Sequence, residues 1–192
     1  PIPQNYDVYF NGWNRDNAPT TISPNTTMIH HPFGDIKKIT VDTQAAVIYA
    51  SQLNWGGIYG ISPSNSHWRT LPDIGIQQPG SSGSPLFDAS KRIRGQLHGG
   101  SVSPTNECIM TGVFYGRFNL SWDQGTTSAT RLKEWLDPGN TNALTQNGYA
   151  RPVPAGFDVS GKIKTHWGQS MPGVKVKLSD IAGSTSAVLT DT

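Results

Sequence analysis

The chain has 192 residues, enough for one ordinary domain or two small ones, and it combines 21 Gly and 14 Pro with only 15% charged residues. This composition favours a turn-rich all-β protein over a helical bundle. Six Trp, six Tyr and six Phe argue against a disordered chain. The net charge of +2 argues against a nucleic-acid-binding protein, and the lack of a run of about 18 apolar residues argues against a membrane span.

Short segments of β type, separated by turn residues, follow one another through most of the chain. Apolar and polar residues alternate in them, and Gly, Pro, Asn and Ser mark the turns between them. A series of short strands of this kind predicts a barrel or a sandwich. The segments are 6–10, 26–29, 36–41, 45–53, 69–71, 85–87, 93–97 and 112–115.

One helix is predicted after this series of strands. Thr127 and Ser128 provide a cap, and Asp137-Pro138-Gly139 provides a stop. The charged residues between them are expected to face water. The apolar residues at helical spacing are Ala129, Leu132, Trp135 and Leu136.

A second module is predicted beyond this helix. Residues 1–150 form the first domain, and the Pro- and Gly-containing segment 151–156 is a plausible linker. The β pattern restarts in 157–192, where 174–178 alternates apolar residues with lysine as a half-exposed strand does. Since about 36 residues rarely hold a core of their own, we expect this module to be incomplete.

The segment Gln78–Phe87 carries the strongest chemical signal, because a serine stands between glycines in a tight loop. Glycine permits backbone angles that are closed to other residues, so successive N–H groups can converge on one point and bind a developing oxyanion. Ser82 is therefore a candidate nucleophile, with the N–H groups of Gly80 and Ser82 as oxyanion donors. The alternative is a simple Gly/Ser turn. The apolar run directly after the serine and the second strand ending in Gly99-Gly100 favour the nucleophile.

Five blocks in order resemble the trypsin-like serine endopeptidases of the bacterial lysyl-endopeptidase type. The resemblance covers about residues 1–148. It implies the second of two six-stranded β-barrels with a C-terminal helix, Ser82 as nucleophile, and secretion of the parent enzyme. It also implies that the base histidine and its aspartate come from the first barrel, before residue 1, so that this fragment alone is inactive. The blocks are 9–15, 29–39, 80–85, 95–100, and 115–118 together with 132–138.

The same resemblance indicates the residues that bind a peptide or protein substrate. His98 and Gly99 would line the primary specificity pocket and pair with the substrate backbone. Lysine-specific members carry an acid at the position of Val113, and trypsin-type pockets carry one at the position of Ile76. Both residues are apolar here, and a buried ammonium without a carboxylate is unfavourable. We therefore expect an apolar substrate side chain, unless a neighbouring loop brings Asp73 or Glu107 into the pocket.

The remaining polar residues of interest are given structural roles. Ser81 stands where trypsin-type enzymes have the aspartate that binds a freed N-terminus, so activation by that route is not expected. His30, His31, His67 and His166 are interpreted as packing or surface residues, and no metal or other cofactor is predicted. Cys108 is either a free thiol or half of a disulfide with a cysteine outside this chain.

The tail resembles the start of a carboxypeptidase-regulatory-like or Cna-B-like β-sandwich. Its turn at Met171-Pro172-Gly173 and the strand after it carry this resemblance, which implies a stalk and contacts with a cell surface or matrix. A second hypothesis for the whole chain is therefore a non-catalytic binding or adhesion protein on a protease-like barrel.

Overall fold

A computed structural model describes residues 2–3, 6–18, 20–151, 164–171, 175–179 and 185–189. The prediction of an all-β fold is confirmed, because strands far outnumber helices. The strands are β1 (Tyr9–Phe10), β2 (Gly12–Asn14), β3 (Thr21–Ile22), β4 (Thr26–His30), β5 (Lys38–Asp42), β6 (Ala46–Ile48), β7 (Leu53–Asn54), β8 (Ile61–Ser62), β9 (His67–Thr70), β10 (Pro85–Phe87), β11 (Arg92–Ser103), β12 (Asn106–Arg117), β13 (Thr145–Gln146), β14 (Tyr149–Ala150), β15 (Lys175–Ser179) and β16 (Thr185–Leu189). The helices are α1 (Phe118–Asp123) and α2 (Lys133–Leu136), with 3-10 turns at Pro32–Gly34, Gly57–Tyr59 and Ser128–Thr130.

One antiparallel path of eight strands forms the main sheet, in the order β3-β6-β9-β12-β11-β10-β4-β5. Its centre is the long hairpin of β11 and β12, in which Gly95 pairs with Arg117 at the open end and Ser103 with Asn106 at the turn. The short strand β2 pairs in parallel with β11, and β13 pairs with β2 in antiparallel fashion. β9 and β10, which flank the loop described below, therefore lie on either side of this hairpin.

The sheet curls around a single core. Ile22 belongs to β3 at one end of the strand order and Met28 to β4 near the other end, yet both lie in the same buried cluster. Side chains from strands near opposite ends of a sheet can share one cluster only if the sheet bends back on itself, as in a barrel. The other buried members of the cluster are Ala46, Trp68, Leu86, Leu97, Met110, Val113 and Tyr115.

A second apolar cluster joins β2 to helix α1, which the sequence patterns did not predict. Trp13, Phe118 and Trp122 are buried together, and the ring centroids of Trp13 and Trp122 are 4.7 Å apart. The guanidinium of Arg15 lies over the Trp122 ring, 4.7 Å from its centroid. Helix α1 is therefore held by packing of its aromatic residues and not by a side-chain cap at its N-terminus.

The single helix predicted over residues 127–137 is wrong in its extent and in its faces. Arg131 adopts an extended backbone with φ −121° and ψ 148°, which separates the 3-10 turn Ser128–Thr130 from α2. This break shifts the helical phase. Trp135 and Leu136 are consequently exposed, whereas Lys133 and Glu134, predicted to face water, are half-buried.

The chain divides into two compact units, residues 10–149 and residues 1–9 with 150–192. In the second unit β15 and β16 form an antiparallel pair in which Val176 faces Val188 in register, and β15 covers most of the predicted strand 174–178. The predicted linker from 152 onward and the predicted strand 157–163 lie outside the described residues. In the part of the chain that the structure describes, no helix is long and apolar enough to cross a bilayer.

Candidate functional site

A cavity of about 530 Å³ opens beside the loop that joins β9 to β10. Its volume lies in the range of small-ligand sites. Ser82 comes from that loop, the 3-10 turn Gly57–Tyr59 contributes an aromatic side chain, and the central hairpin supplies most of the remaining wall. The lining residues are Tyr59, His67, Ser82, Gln96, Leu97, His98 and Gly116.

The backbone of the Ser82 loop is fixed from both sides. The Ser81 N–H donates to the Gln78 carbonyl, and the Gly83 N–H donates to the Leu97 carbonyl at 2.8 Å. Gly80 and Gly83 have φ values of 92° and 83°, which favour glycine because other residues are strained there. Among the described residues, the amides of Gly80 and Ser82 donate to no partner. Both predicted oxyanion donors are thus available, whereas the neighbouring amides of Ser81, Gly83 and Ser84 are hydrogen-bonded.

Ser81, next to the candidate nucleophile, points into the core and is tied to a buried histidine. The Ser81 Oγ is 2.9 Å from Nδ1 of His30, and Nε2 of His30 is 2.7 Å from Oγ1 of Thr40. All three side chains are almost fully buried. His30 therefore packs in the interior and connects the Ser82 loop to β4 and β5. According to the resemblance, trypsin-type enzymes have a carboxylate at the position of Ser81. Here that position has a hydroxyl, which is hydrogen-bonded to His30.

Aromatic and imidazole rings form one wall of the cavity. The Trp55 ring stacks on His98 with centroids 3.9 Å apart, and His67 lies beside His98 with centroids 5.1 Å apart. A Cβ on Gly99 would lie 2.6 Å from the Trp55 ring, so only glycine allows the tryptophan to approach this closely. Nε2 of His67 is 2.9 Å from Nδ1 of His98.

The protein environment lowers the pKa of both histidines of this wall, His67 being buried and His98 exposed. Desolvation and, as a smaller cause, the nearby His98 together lower the pKa of His67 to about 4. Desolvation also lowers the pKa of His98. In their neutral forms each ring has one donor and one acceptor nitrogen, which a hydrogen bond between two imidazoles requires.

Acidification is expected to destabilise the fold through His67. The unfolded side chain titrates at 6.5 and the folded one at about 4, so the unfolded state binds the proton first as the pH falls. The contribution is complete above pH 6.5, and about 3 kcal/mol is lost by pH 4. Urea unfolding of the wild-type chain and of His67→Gln at several pH values tests this. Equal pH dependence of the two free energies of unfolding would contradict it.

The other predicted substrate-binding residues lie elsewhere. Val113 is fully buried in the core, and Ile76 is half-buried against that core. Neither side chain lines the cavity, whereas His98 does, with Gly99 beneath Trp55. Asp73, considered as an acid for the pocket, accepts hydrogen bonds from Thr43 instead.

Sequence patterns missed Trp55, Tyr59 and His67 as residues around the cavity. The weak signal that could have found the first two is the pair of glycine turns that flank them, Gly56-Gly57 and Gly60. His67, predicted to be a packing or surface residue, is buried and also lines the cavity. Cys108 is exposed, and no group of three His, Cys, Asp or Glu side chains is placed to hold a metal ion within the described ranges.

Two comparisons with known proteins found similarities. The family model described as the lysyl endopeptidase C-terminal domain matches residues 1–116. The crystal structure of the Rv3671c protease in its inactive form matches with a TM-score of 0.37 and 17% identity, over 64% of this chain and 54% of that one. This chain spans about half the length of that protease.

Proposed function

Because the chain belongs to the family of lysyl endopeptidase C-terminal domains, we propose that it is the nucleophile-bearing part of a secreted serine endopeptidase. The observation that carries this proposal is the Ser82 loop. Ser82 is exposed and faces a cavity of ligand size, and its own amide and that of Gly80 have no hydrogen-bond partner within the described part of the chain.

In this proposal the Ser82 hydroxyl attacks the scissile carbonyl of a peptide or protein substrate. The carbonyl carbon becomes tetrahedral, and its oxygen takes a negative charge that the N–H groups of Gly80 and Ser82 stabilise. Preorganised donors are effective because they need no reorientation during the reaction. The buried Ser81–His30 hydrogen bond supports this role, since it holds the residue between the two donors.

The general base is proposed to lie outside this chain. A serine hydroxyl needs a base to become an efficient nucleophile. In the described part of the chain no hydrogen bond joins the Ser82 side chain to a histidine, and His98 and His67 are bonded to each other. A histidine and an aspartate from a preceding segment of the protein would complete the triad, as in the serine peptidases that the sequence resembles.

An apolar substrate side chain is proposed for the primary pocket. Val113 and Ile76 stand where the resemblance places an acid, and both pack into the apolar core. The Asp73 carboxylate is engaged by Thr43, and Glu107 is exposed on the far part of the β11–β12 hairpin. A substrate ammonium would find no carboxylate among the residues that line the cavity.

The tail is proposed to act as a spacer that contacts a cell surface or matrix. The family match ends at residue 116, well before this segment. The β15–β16 hairpin is a structure that a β-sandwich module would contain. No catalytic role is assigned to it.

Labelling with a fluorophosphonate tests the proposal. The probe is applied to the longer protein that contains this chain, and peptide mass mapping locates the adduct. We expect one phosphonyl group on Ser82 and none on the chain consisting of residues 1–192 alone. Absence of an adduct on Ser82 in the folded longer protein, together with retained binding of peptides, would favour the binding or adhesion protein instead.

A further inference from the structure

A chain of hydrogen bonds runs from the backbone through Ser66 and His67 to His98 at the cavity wall. The Ser66 Oγ is bonded to the Pro63 carbonyl and lies 2.8 Å from Nδ1 of His67. Nε2 of His67 lies 2.9 Å from Nδ1 of His98. Nε2 of His98 has no partner among the described residues.

We propose that Ser66 and His67 are positioning residues that hold His98 with its proton on Nδ1, so that its bare Nε2 accepts a hydrogen bond from a donor group of the bound peptide. The hydrogen-bond chain itself does not depend on the peptidase reaction. The identity of the bound molecule as a peptide rests on the proposed function.

The number of protons available along this series of hydrogen bonds determines the tautomer of each histidine. A carbonyl oxygen can only accept, so the single hydroxyl proton of Ser66 goes to Pro63. The Ser66 oxygen must then accept from His67, which places the proton of the neutral His67 ring on Nδ1. Nε2 of His67 is consequently an acceptor, and the proton between the two rings belongs to Nδ1 of His98. A neutral His98 with its proton there has a free lone pair on Nε2.

Packing holds the same rings in place. Trp55 covers one face of His98 at 3.9 Å between centroids, and the Trp55 indole N–H donates to the Ser62 hydroxyl at 2.9 Å. His67 is buried, and its low pKa keeps the ring neutral throughout the physiological range. With the His98 ring fixed on one face and at Nδ1, its remaining polar atom is available to a molecule in the cavity.

The ligand chemistry follows from this tautomer. A backbone N–H, a hydroxyl or a side-chain amide of the substrate can donate to His98, whereas a carbonyl oxygen cannot. The site would therefore select the orientation of a bound peptide by its donor groups. Removing the acceptor at His67 would let His98 change tautomer and present a donor instead.

Long-range ¹H–¹⁵N correlation spectra of the imidazole rings test the proposal directly on the 192-residue chain at pH 7. His98 is assigned by loss of its signals in His98→Asn. We expect wild-type His98 to carry its proton on Nδ1. In His67→Leu, which has no acceptor, most His98 is expected to carry it on Nε2, and His67→Gln, which retains one, should restore the Nδ1 form.

Two further variants separate positioning from general structural damage. Thr70→Val changes another buried residue of β9 and should leave the His98 tautomer unchanged. If His67→Leu fails to fold, Ser66→Ala serves in its place, because loss of this half-buried hydroxyl frees His67 to switch and should give mixed His98 signals. A proton on Nε2 of wild-type His98, or a tautomer indifferent to these variants, would overturn the proposal.

The substrate contact is tested by kinetics of the longer protein. His67→Leu is expected to raise KM for a peptide about tenfold with a smaller change in kcat, and His67→Gln to restore KM. An unchanged KM in a variant whose tautomer has shifted would exclude the contact. The spectra do not require hydrolysis, so the tautomer result remains valid if Ser82 proves not to be a nucleophile. Conversely, labelling of Ser82 does not depend on the tautomer of His98.

Discussion

The Ser82→Ala variant of the longer protein is expected to lose peptide hydrolysis by about 10⁶-fold in kcat, because the nucleophile is removed while the oxyanion donors remain. KM should change little, since the methyl group of alanine leaves the cavity open. Hydrolysis of a chromogenic peptide by purified wild type and variant, with circular dichroism to confirm folding, gives the comparison.

Ser84→Ala is the matched control for this experiment. Ser84 lies in the same loop, and its backbone, which pairs with Leu97, is retained in the variant. We expect its activity to stay within a few fold of wild type. Comparable losses in the two variants would show that disturbance of the loop, and not removal of a nucleophile, causes the effect.

Replacing Trp68 with alanine is expected to lower the free energy of unfolding by about 3–5 kcal/mol. Trp68 is 1% exposed at the centre of the core, and its indole N–H donates to the Arg94 carbonyl. The guanidinium groups of Arg94 and Arg117 lie 5.4 and 5.1 Å from its ring, so both buried charges lose a favourable contact as well.

Trp135→Ala provides the control for the loss of a tryptophan. Its side chain is 70% exposed on α2, and we expect a change of a few tenths of a kcal/mol at most. Urea unfolding followed by far-ultraviolet circular dichroism measures both variants against wild type. Similar losses for Trp68 and Trp135 would contradict the assignment of the core.

Local patterns were sufficient for most strands and for the Ser82 loop. Alternation of apolar and polar residues depends only on neighbours two or three positions apart. The segments 85–87 and 93–97, which were predicted to be strands, lie in β10 and β11. The glycines at positions 80 and 83 indicated backbone angles that are closed to other residues, and both glycines have a positive φ. These features depend on near neighbours in sequence, so the pattern of residue types contains them.

The failed helix shows the limit of periodicity. Apolar spacing over 129–136 predicted one continuous helix, yet Arg131 is extended and the next residue, Leu132, donates its N–H to the Ser121 carbonyl. Contacts with α1 decide the conformation there. The period of 3.6 residues gives no information on a hydrogen-bond partner such as Ser121, which lies eleven residues before Leu132 in another helix.

The sequence by itself determined the all-β class, the order of the short strands and the glycine-flanked serine, because each is encoded by residues close together in the chain. Only the tertiary structure decided that the sheet curls around one core, that Trp55, His67 and His98 meet beside Ser82, and that Val113 is buried. The physical reason is that packing and hydrogen bonding across strands join residues such as His67 and His98, which are 31 positions apart, and no local pattern specifies which distant side chain will fill the space next to another.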